Sequence, residues 1–498
     1  MNPLTRRTFL KNAAVASAGA ALSARSWGQV AGANGDIRIA FAGLNSRGKS
    51  LLTEASRLSG VRVVALCDVD TAVLDSVAKN YPAATKYVDF REMLAAPGID
   101  VVAIATPNHQ HALQAIWAMQ AGKDVFLEKP VAHDIWEGQQ IVAASGKLGR
   151  LVQSGTQSRS SPAIAEAIDW VRAGNLGKIT AARGLCYKRR TSIGLTTGPQ
   201  TVPGTVNYDL WVGPAPMQPL RRTRFHYDWH WQWAYGNGDI ANQGNHQMDV
   251  ALRFLGETAL APRVFTAGGR LGYEDDGETP NTLVSVLDYA AAPLIFEVRG
   301  LPAKPDASSG AAIGAGGSAA ADAAAGSMDK YQGVSVGNII HCEGGHLIVP
   351  AQDYSLVQAF DRDGKMVTEF RGITGHMANF IEVVHSRKAS DLHGPIRGGC
   401  VSGGLCHASN ISLRVGHGLP VGEIRERVKG SAAMAEAFGR MAEHLAANGL
   451  DLTKKPVTFG LPLTLDPQTE RFIGDGAAAA NALLRRECRE PFVIPTMT

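Results

Sequence analysis

The sequence predicts an α/β protein: a doubly wound parallel sheet in its N-terminal part, then a second α/β domain. Three observations carry this. A strand–turn–helix–strand unit runs from Asp36 to Asp68. Apolar runs and helical periods then alternate as far as Gly155. From about Ser158 the rhythm changes, and past Gly256 the chain reads mainly as strands.

In the first unit, Ile37, Ile39, Phe41 and Ala42 form a short apolar run, and Leu51, Leu52, Ala55 and Leu58 fall at helical spacing. Between them lies Gly43-Leu44-Asn45-Ser46-Arg47-Gly48, and the run Val61–Leu66 leads to Asp68. This is the order that a dinucleotide site requires. Gly43 allows the tight turn, Gly48 allows close helix–strand packing, and the helix N-terminus accepts a pyrophosphate. Asn45 stands where the usual glycine pattern has its middle Gly; Asn tolerates positive φ, but its side chain crowds the approach to phosphate. Asp68 is placed to accept hydrogen bonds from a ribose diol and to repel a 2′-phosphate, so NAD is expected rather than NADP.

The alternation continues with a helix over Thr71–Tyr81, an extended piece at Lys86–Phe90, a short helix at Arg91–Ala95 and a buried strand from Asp100 that ends at Thr106-Pro107. Asn108-His109-Gln110-His111 opens the next helix. A strand from Asp124 ends on Glu128-Lys129-Pro130, and Leu151–Gly155 is the sixth. Ligands of such sheets sit outside the carboxyl ends of the strands. The Gly43–Gly48 turn, Asp68, Thr106, Pro107, Asn108, His111, Glu128 and Lys129 all fall at that edge and make up the expected cofactor site.

This half, together with Glu128-Lys129-Pro130 and a later Gly236-Asn-Gly-Asp-Ile-Ala-Asn242-Gln-Gly-Asn-His246-Gln-Met-Asp249, resembles the Gfo/Idh/MocA oxidoreductases. The resemblance covers nearly the whole chain after the first 33 residues. It implies a Rossmann domain followed by an α/β domain with a large, mostly antiparallel sheet. It also implies NAD(P), sugars or other polyols as substrates, and a homo-oligomer paired through that sheet. The expected domains are 34–157 and 158–498, with an Ala/Gly/Ser-rich surface insertion at 303–329.

Oxidation of a secondary alcohol needs a base for the hydroxyl proton and a positive charge beside the developing oxyanion. Relatives carry Lys and His in these roles at the positions of Lys129 and His246. Imidazole titrates near neutral pH, so His246 is the expected base. Where many relatives have Asp, this chain has Asn242, which can orient a hydroxyl or the imidazole but cannot stabilise imidazolium as a carboxylate does. Asp249 takes part of that role or pairs locally.

The region around Tyr208, Trp211, Phe225, Trp229, His230, Trp231 and Trp233 is rich in aromatics, which suit either stacking on sugar rings or a packed core or subunit contact. Tyr208, Trp229, His230 and Asp249 are the substrate-binding candidates. His226 and His230 flank Asp228, but no third ligand is suitably spaced, so no metal is assigned. Further strands are expected at Val264–Gly268, Thr282–Tyr289, Leu294–Gly300, Ser335–Glu343 and Leu347–Val349. Helices are expected at Pro162–Ala173, His376–Ser386, Ser402–Val415, Ala432–His444 and Ala477–Arg486.

A formal net charge of +4 without a basic, aromatic-interleaved run argues against nucleic acid. Arg6-Arg7 followed by Phe9-Leu10-Lys11 and an Ala-rich run fits a twin-arginine export signal over 1–33, removed after Ala24 or near Ala31–Ala33. The expected location is therefore the periplasm or outside the cell, with no membrane association after signal removal. The six cysteines show no C-x-x-C; Cys400 and Cys406 either pair or stay buried thiols. Three functions fit: an exported sugar oxidoreductase with tightly held NAD, a redox-neutral NAD-dependent glycosidase or lyase, and a non-catalytic sugar-binding protein. Intact Glu128-Lys129-Pro130 and His246 favour the first two, and the oxidoreductase is the expected function.

Overall fold

The computed structural model describes residues 35–304 and 327–497. The expected leader lies outside the described residues, as does the insertion except for its ends, where the Ala303 N–H donates to the Ser327 carbonyl at 2.9 Å.

The N-terminal domain alternates β1 (Ile37–Ala42), α1 (Arg47–Ala55), β2 (Val61–Cys67), α2 (Thr71–Ala78), β3 (Thr85–Tyr87), α3 (Phe90–Ala95), β4 (Val101–Ile104), α4 (His111–Gln120), β5 (Asp124–Leu127), α5 (Ile135–Leu148) and β6 (Val152–Ser154). The six strands are parallel, in the order β3-β2-β1-β4-β5-β6. The order reverses between β1 and β4, which opens a crevice at their carboxyl ends. Both faces of β1 and β4 are covered, which is why they read as unbroken apolar runs. Asp70, Asp89 and Asp134 start α2, α3 and α5 by accepting hydrogen bonds from Ala72, Arg91 and Glu137 N–H groups. No side chain caps α1.

The second domain follows with α6 (Pro162–Arg172), β7 (Ile179–Tyr187), α7 (Tyr208–Val212), α8 (Gly238–Asn242) and α9 (Gly244–Leu255). Next come β8 (Arg263–Gly269), β9 (Thr282–Asp288), β10 (Leu294–Arg299), β11 (Val336–Cys342), β12 (Gly345–Pro350), β13 (Leu356–Asp361) and β14 (Met366–Arg371). The rest is α10 (His376–Ser386), α11 (Ile396–Arg414), β15 (His417–Leu419), α12 (Val421–Val428), α13 (Ala432–Ala447), β16 (Val457–Phe459), β17 (Leu463–Asp466), β18 (Arg471–Ile473) and α14 (Ala477–Asn481). Twelve strands form one sheet whose main path runs β14-β13-β12-β11-β7-β10-β9-β8-β16-β15. Within it β7 and β10 run parallel, and the other pairings are antiparallel.

Alternation in β9 sends Leu283 and Leu287 to one face, where they meet Met248 and Leu252 of α9 and Leu405 of α11. Val284 and Val286 point the other way, onto Phe438, Met441 and Leu445 of α13. Part of the sheet face through which the resemblance expects subunits to pair is thus covered by this chain's own helix. Buried on that side, Glu297 takes ion pairs from Arg183, Arg299 and Arg440 and a hydrogen bond from the Tyr187 hydroxyl.

Residues beyond the boundary expected at 157/158 also pack on the first domain. Met377, Phe380 and Ile381 of α10 pack with Phe41, Leu51 and Phe126 of the first domain. Phe492 and Ile494, near the chain's end, pack with Met93 and Met119. Strands β13 and β14 were not expected; no residue of β14 is buried, and its pattern lacks the apolar run that marks the central strands. Helix α14 stops at Asn481 rather than Arg486, because the following residues leave it to dock on the first domain. All six cysteines are free thiols, so Cys400 and Cys406 are not paired.

Candidate active site

A cavity of about 460 Å³ opens at the carboxyl edge of the parallel sheet, between the two domains. Its floor is the turn between β1 and α1. Gly43 has φ +79°, and a Cβ there would stand 2.6 Å from the Ala105 carbonyl oxygen of the neighbouring strand end. A Cβ on Gly48 would sit 1.8 Å from the Gly43 oxygen. Both positions therefore demand glycine. Positive φ falls on Ser46 (46°) rather than on Asn45, whose side-chain oxygen accepts the Ser46 N–H at 3.0 Å. Asn45 thus tightens the turn from within. With no side-chain cap on α1, this helix end is open to an anion.

Asp68 lines the cavity beyond the end of β2. One carboxylate oxygen accepts the Leu44 N–H at 2.8 Å and the other the Asp70 N–H at 3.0 Å. Burial raises its pKa, and these two hydrogen bonds oppose the rise. Across the turn, Arg47 donates to Glu128 Oε1 at 2.7 Å and to Gln157 at 3.1 Å. The other oxygen of Glu128 accepts the Lys129 N–H at 3.0 Å. Glu128 therefore ties the phosphate turn to the strand end that carries Lys129. His111 reaches the Pro130 and Thr106 carbonyls, each at 2.7 Å, and pins the same loop.

Lys129 Nζ donates to the main-chain oxygen of Asn242, the last residue of α8, at 2.7 Å. Burial lowers its pKa; Glu128 opposes this, while Arg47, Lys188 and Arg190 add to it. His246 stands in the first turns of α9, where Gly184 of β7 lets the helix lie close on the sheet: a Cβ there would come within 2.9 Å of Gln247. His246 lines the cavity, and its buried Nδ1 has no protein partner. Burial, then Lys129, Arg47 and His376, hold its pKa well below 6.5, so it is neutral at pH 7.

Of the residues expected here, Gly43, Asn45, Ser46, Arg47, Asp68, Thr106, Pro107, Asn108, His111, Glu128, Lys129, Trp229, His230, Asn242 and His246 line the one cavity, with Gly48 packed behind the turn. Two substrate-binding candidates do not reach it. Asp249 is fully buried and accepts from Arg159 Nη2 on Oδ1 at 2.6 Å and from Nε on Oδ2 at 3.1 Å; α9 turns this side chain away from the cavity into the packing against residues 157–160. Tyr208 stacks on Trp211 at 6.1 Å and donates its hydroxyl to the Gln218 carbonyl.

Most of the aromatic region is core: Trp211, Phe225, Trp229 and Tyr235 pack together, with the Arg222 guanidinium over three of these rings. This cluster sits beside the first domain, where Asn207 N–H donates to Val69 O and His226 pairs with Asp70. Trp229 nevertheless reaches the cavity and stacks on His230 at 3.7 Å; burial pushes the His230 pKa down to about 4. His226 and His230 face separate partners, Asp70 and the Tyr227 carbonyl.

The structure adds Lys188, Arg190, Tyr227 and Phe492 to the lining. The first two directly follow β7, whose carboxyl end could have suggested them. For Phe492 no local signal exists.

A doubly wound domain with this turn and this carboxylate has the form of a dinucleotide-binding Rossmann domain, and Lys129 and His246 face the same crevice. Residues 37–156 match the Oxidoreductase family, NAD-binding Rossmann fold, GFO_IDH_MocA, and residues 172–270 match that family's C-terminal alpha/beta domain. These two stretches, together less than half of the chain, are similar to the Gfo/Idh/MocA oxidoreductases. "Uncharacterized oxidoreductase ORF334" of Rhizobium meliloti is 32% identical over 155 residues, 31% of this chain and 46% of that protein. A "Glycosyl hydrolase family 109 protein" of Shewanella baltica is 34% identical over 169 residues, 28% of this chain and 37% of that protein. The chain thus spans less than half the length of these curated relatives. Among solved structures, the WlbA dehydrogenase from Bordetella pertussis, in complex with NADH and UDP-GlcNAcA, shares the fold with a TM-score of 0.53 at 18% identity, over 75% of this chain and 94% of that one. An NAD binding oxidoreductase from Klebsiella pneumoniae does so with a TM-score of 0.51 at 18% identity, over 76% and 97%.

Proposed function

We propose that this protein is an exported, NAD-dependent oxidoreductase that acts on a secondary hydroxyl of a sugar or glycoside and keeps its nicotinamide cofactor between turnovers. The observation that carries the reading is the convergence of Lys129 and His246 on the cavity that also holds the Gly43–Arg47 turn and Asp68. The cofactor fits on the residues present. The uncapped end of α1 suits the pyrophosphate, and the carboxylate of Asp68 suits a ribose diol and disfavours a 2′-phosphate. A nicotinamide bound at the Lys129 end supplies the hydride acceptor. The remaining chemistry belongs to the chain. Lys129, held by the Asn242 carbonyl, presents an ammonium to the developing oxyanion. Neutral His246 accepts the hydroxyl proton. Trp229 and His230 offer a flat face to a sugar ring.

Export rests on Arg6-Arg7 and the Ala-rich run after them. Free NAD is scarce outside the cytoplasm, so an exported enzyme must carry its cofactor and regenerate it on a second substrate. The test is to purify the protein through its own export route, gel-filter it, denature it and identify the released nucleotide by mass. About one NAD per chain supports the reading; no nucleotide, and no binding of added NAD or NADP, overturns it.

The family 109 glycosyl hydrolase names of several relatives favour a second reading, a redox-neutral glycosidase that oxidises the ring transiently, eliminates the aglycone, adds water and reduces the ring again. Product analysis separates the two. A released aglycone with an unoxidised sugar and no net redox change would establish the glycosidase.

A further inference from the structure

The cavity has a second end that the turnover chemistry does not use. A dinucleotide laid with its nicotinamide at Lys129 and its pyrophosphate on the Gly43–Arg47 turn must direct its adenosine past Asp68. There the walls are Val88–Phe90 after β3, Trp117 of α4, and Phe492. Phe492 belongs to neither sheet. The last residues of the chain bring it back across the molecule.

That segment is anchored on both sides of the crevice. On the first domain, the Arg486 N–H donates to Asp134 at 3.1 Å, and its guanidinium donates to Glu137 at 2.7 Å and to the His109 carbonyl at 2.5 Å. Met497 N–H closes the far end on Gln140 at 2.7 Å. On the loop of the second domain, the Arg489 guanidinium donates to the Asp209 carboxylate at 2.7 Å and the Gly213 carbonyl at 3.2 Å, and its N–H donates to the Pro214 carbonyl at 3.1 Å. The Phe492 N–H folds back onto the Arg489 carbonyl at 2.8 Å. The ring is only 4% exposed. It lies 6.4 Å from Trp117, with the Arg489 and Arg91 guanidinium groups over it at 4.9 and 5.3 Å.

An apolar ring held by a doubly anchored segment, beside a second aromatic and in the cavity wall, suits contact with a flat heteroaromatic group. We propose that residues 485–497 form a strap that completes the adenosine subsite through Phe492 and retains the dinucleotide. The proposal rests on the dinucleotide reading above. It makes cofactor retention a property of the chain's end rather than of the Gly43–Gly48 turn alone.

The test uses the full-length exported chain with Phe492→Ala, Phe492→Leu and Arg489→Met, the last of which releases an anchor without removing a cavity wall. The probes are ADP-ribose, which has the adenosine half, and nicotinamide mononucleotide, which lacks it. In Phe492→Ala and Arg489→Met, affinity for ADP-ribose should fall about tenfold, the scale of losing one base–aromatic contact. Affinity for nicotinamide mononucleotide should stay unchanged, and nucleotide should be lost on gel filtration. Phe492→Leu keeps an apolar wall and should fall between Phe492→Ala and wild type, and it decides the matter with Arg489→Met if Phe492→Ala does not fold. Wild-type ADP-ribose affinity and retention in Arg489→Met and the Phe492 variants would overturn the strap alone. A wild-type protein that binds neither ADP-ribose nor NAD would overturn the dinucleotide reading, and the strap with it.

Discussion

Lys129 Nζ and the main-chain oxygen of Asn242 are joined by a hydrogen bond of 2.7 Å, which links the end of β5 in one domain to the helix leading into His246 in the other. The residue type at 242 does not make this bond, because the carbonyl does. Asn242, in place of the Asp that the resemblance leads one to expect, therefore leaves the lysine's anchor intact.

Removal of the ammonium should be severe. Lys129→Met is expected to lower kcat by about 10²–10³-fold, the scale of losing one donor to a developing oxyanion, with little change in NAD binding. Steady-state kinetics with a turned-over sugar, beside a nucleotide titration, check both halves of that statement. His246→Asn should cost about 10²–10⁴-fold in kcat as a lost general base.

The pH profile follows from the same pair. His246 is held well below 6.5 in the free protein, so it stays unprotonated at neutral pH, and the acid limb of kcat/KM should lie well below pH 6.5. Lys129 is lowered from 10.5, so the alkaline limb should begin below the ordinary lysine range. An acid limb centred at or above pH 6.5 in the wild type would remove His246 from the base role.

Asp249 predicts a stability effect rather than a substrate effect. Asp249→Asn leaves Arg159 facing a fully buried neutral group and should destabilise the fold by about 3–5 kcal/mol, the usual result of breaking a buried pair. Urea unfolding gives the size of the loss, and an unchanged KM in the folded fraction separates this role from substrate binding.

Acid should weaken the fold before carboxylates titrate. Burial pushes His376 and His407 down to about 4 and His109 to about 3, against 6.5 when unfolded. Below pH 6.5 the unfolded chain takes up protons that the folded chain refuses, so stability is full above pH 6.5 and falls as pH drops toward 4. Each group contributes up to about 1.4 kcal/mol per pH unit in that window. Urea midpoints from pH 7 to pH 4.5 should slope downward, and His407→Gln should flatten the slope.

Much of the site was legible in the chain. The Gly43–Gly48 turn, Asp68 and Lys129 lie at the ends of short apolar runs, and a parallel sheet brings strand ends to one edge whatever the rest of the molecule does. His246 was legible through the Gly-rich segment before it. Asp249, Tyr208 and Phe492 were not. Asp249 follows His246 by less than one helical turn, and only the packing of α9 against Arg159 decides that one faces the cavity and the other the interior. Tyr208 opens the short helix α7 in a region whose aromatics bury one another, and no periodicity reports which rings remain free.

The sequence by itself determined the parallel sheet, the edge at its strands' carboxyl ends and the choice of Lys129 and His246 as candidates, because strand periodicity, turn glycines and strand-end residues act over a few positions. Tertiary structure alone decided which polar side chains enter the cavity, the cover of α13 on the large sheet, and the return of Arg486, Arg489 and Phe492 to the cofactor crevice. Those outcomes depend on contacts between residues tens to hundreds of positions apart, whose energies come from burial and ion pairing in the folded chain and leave no local pattern.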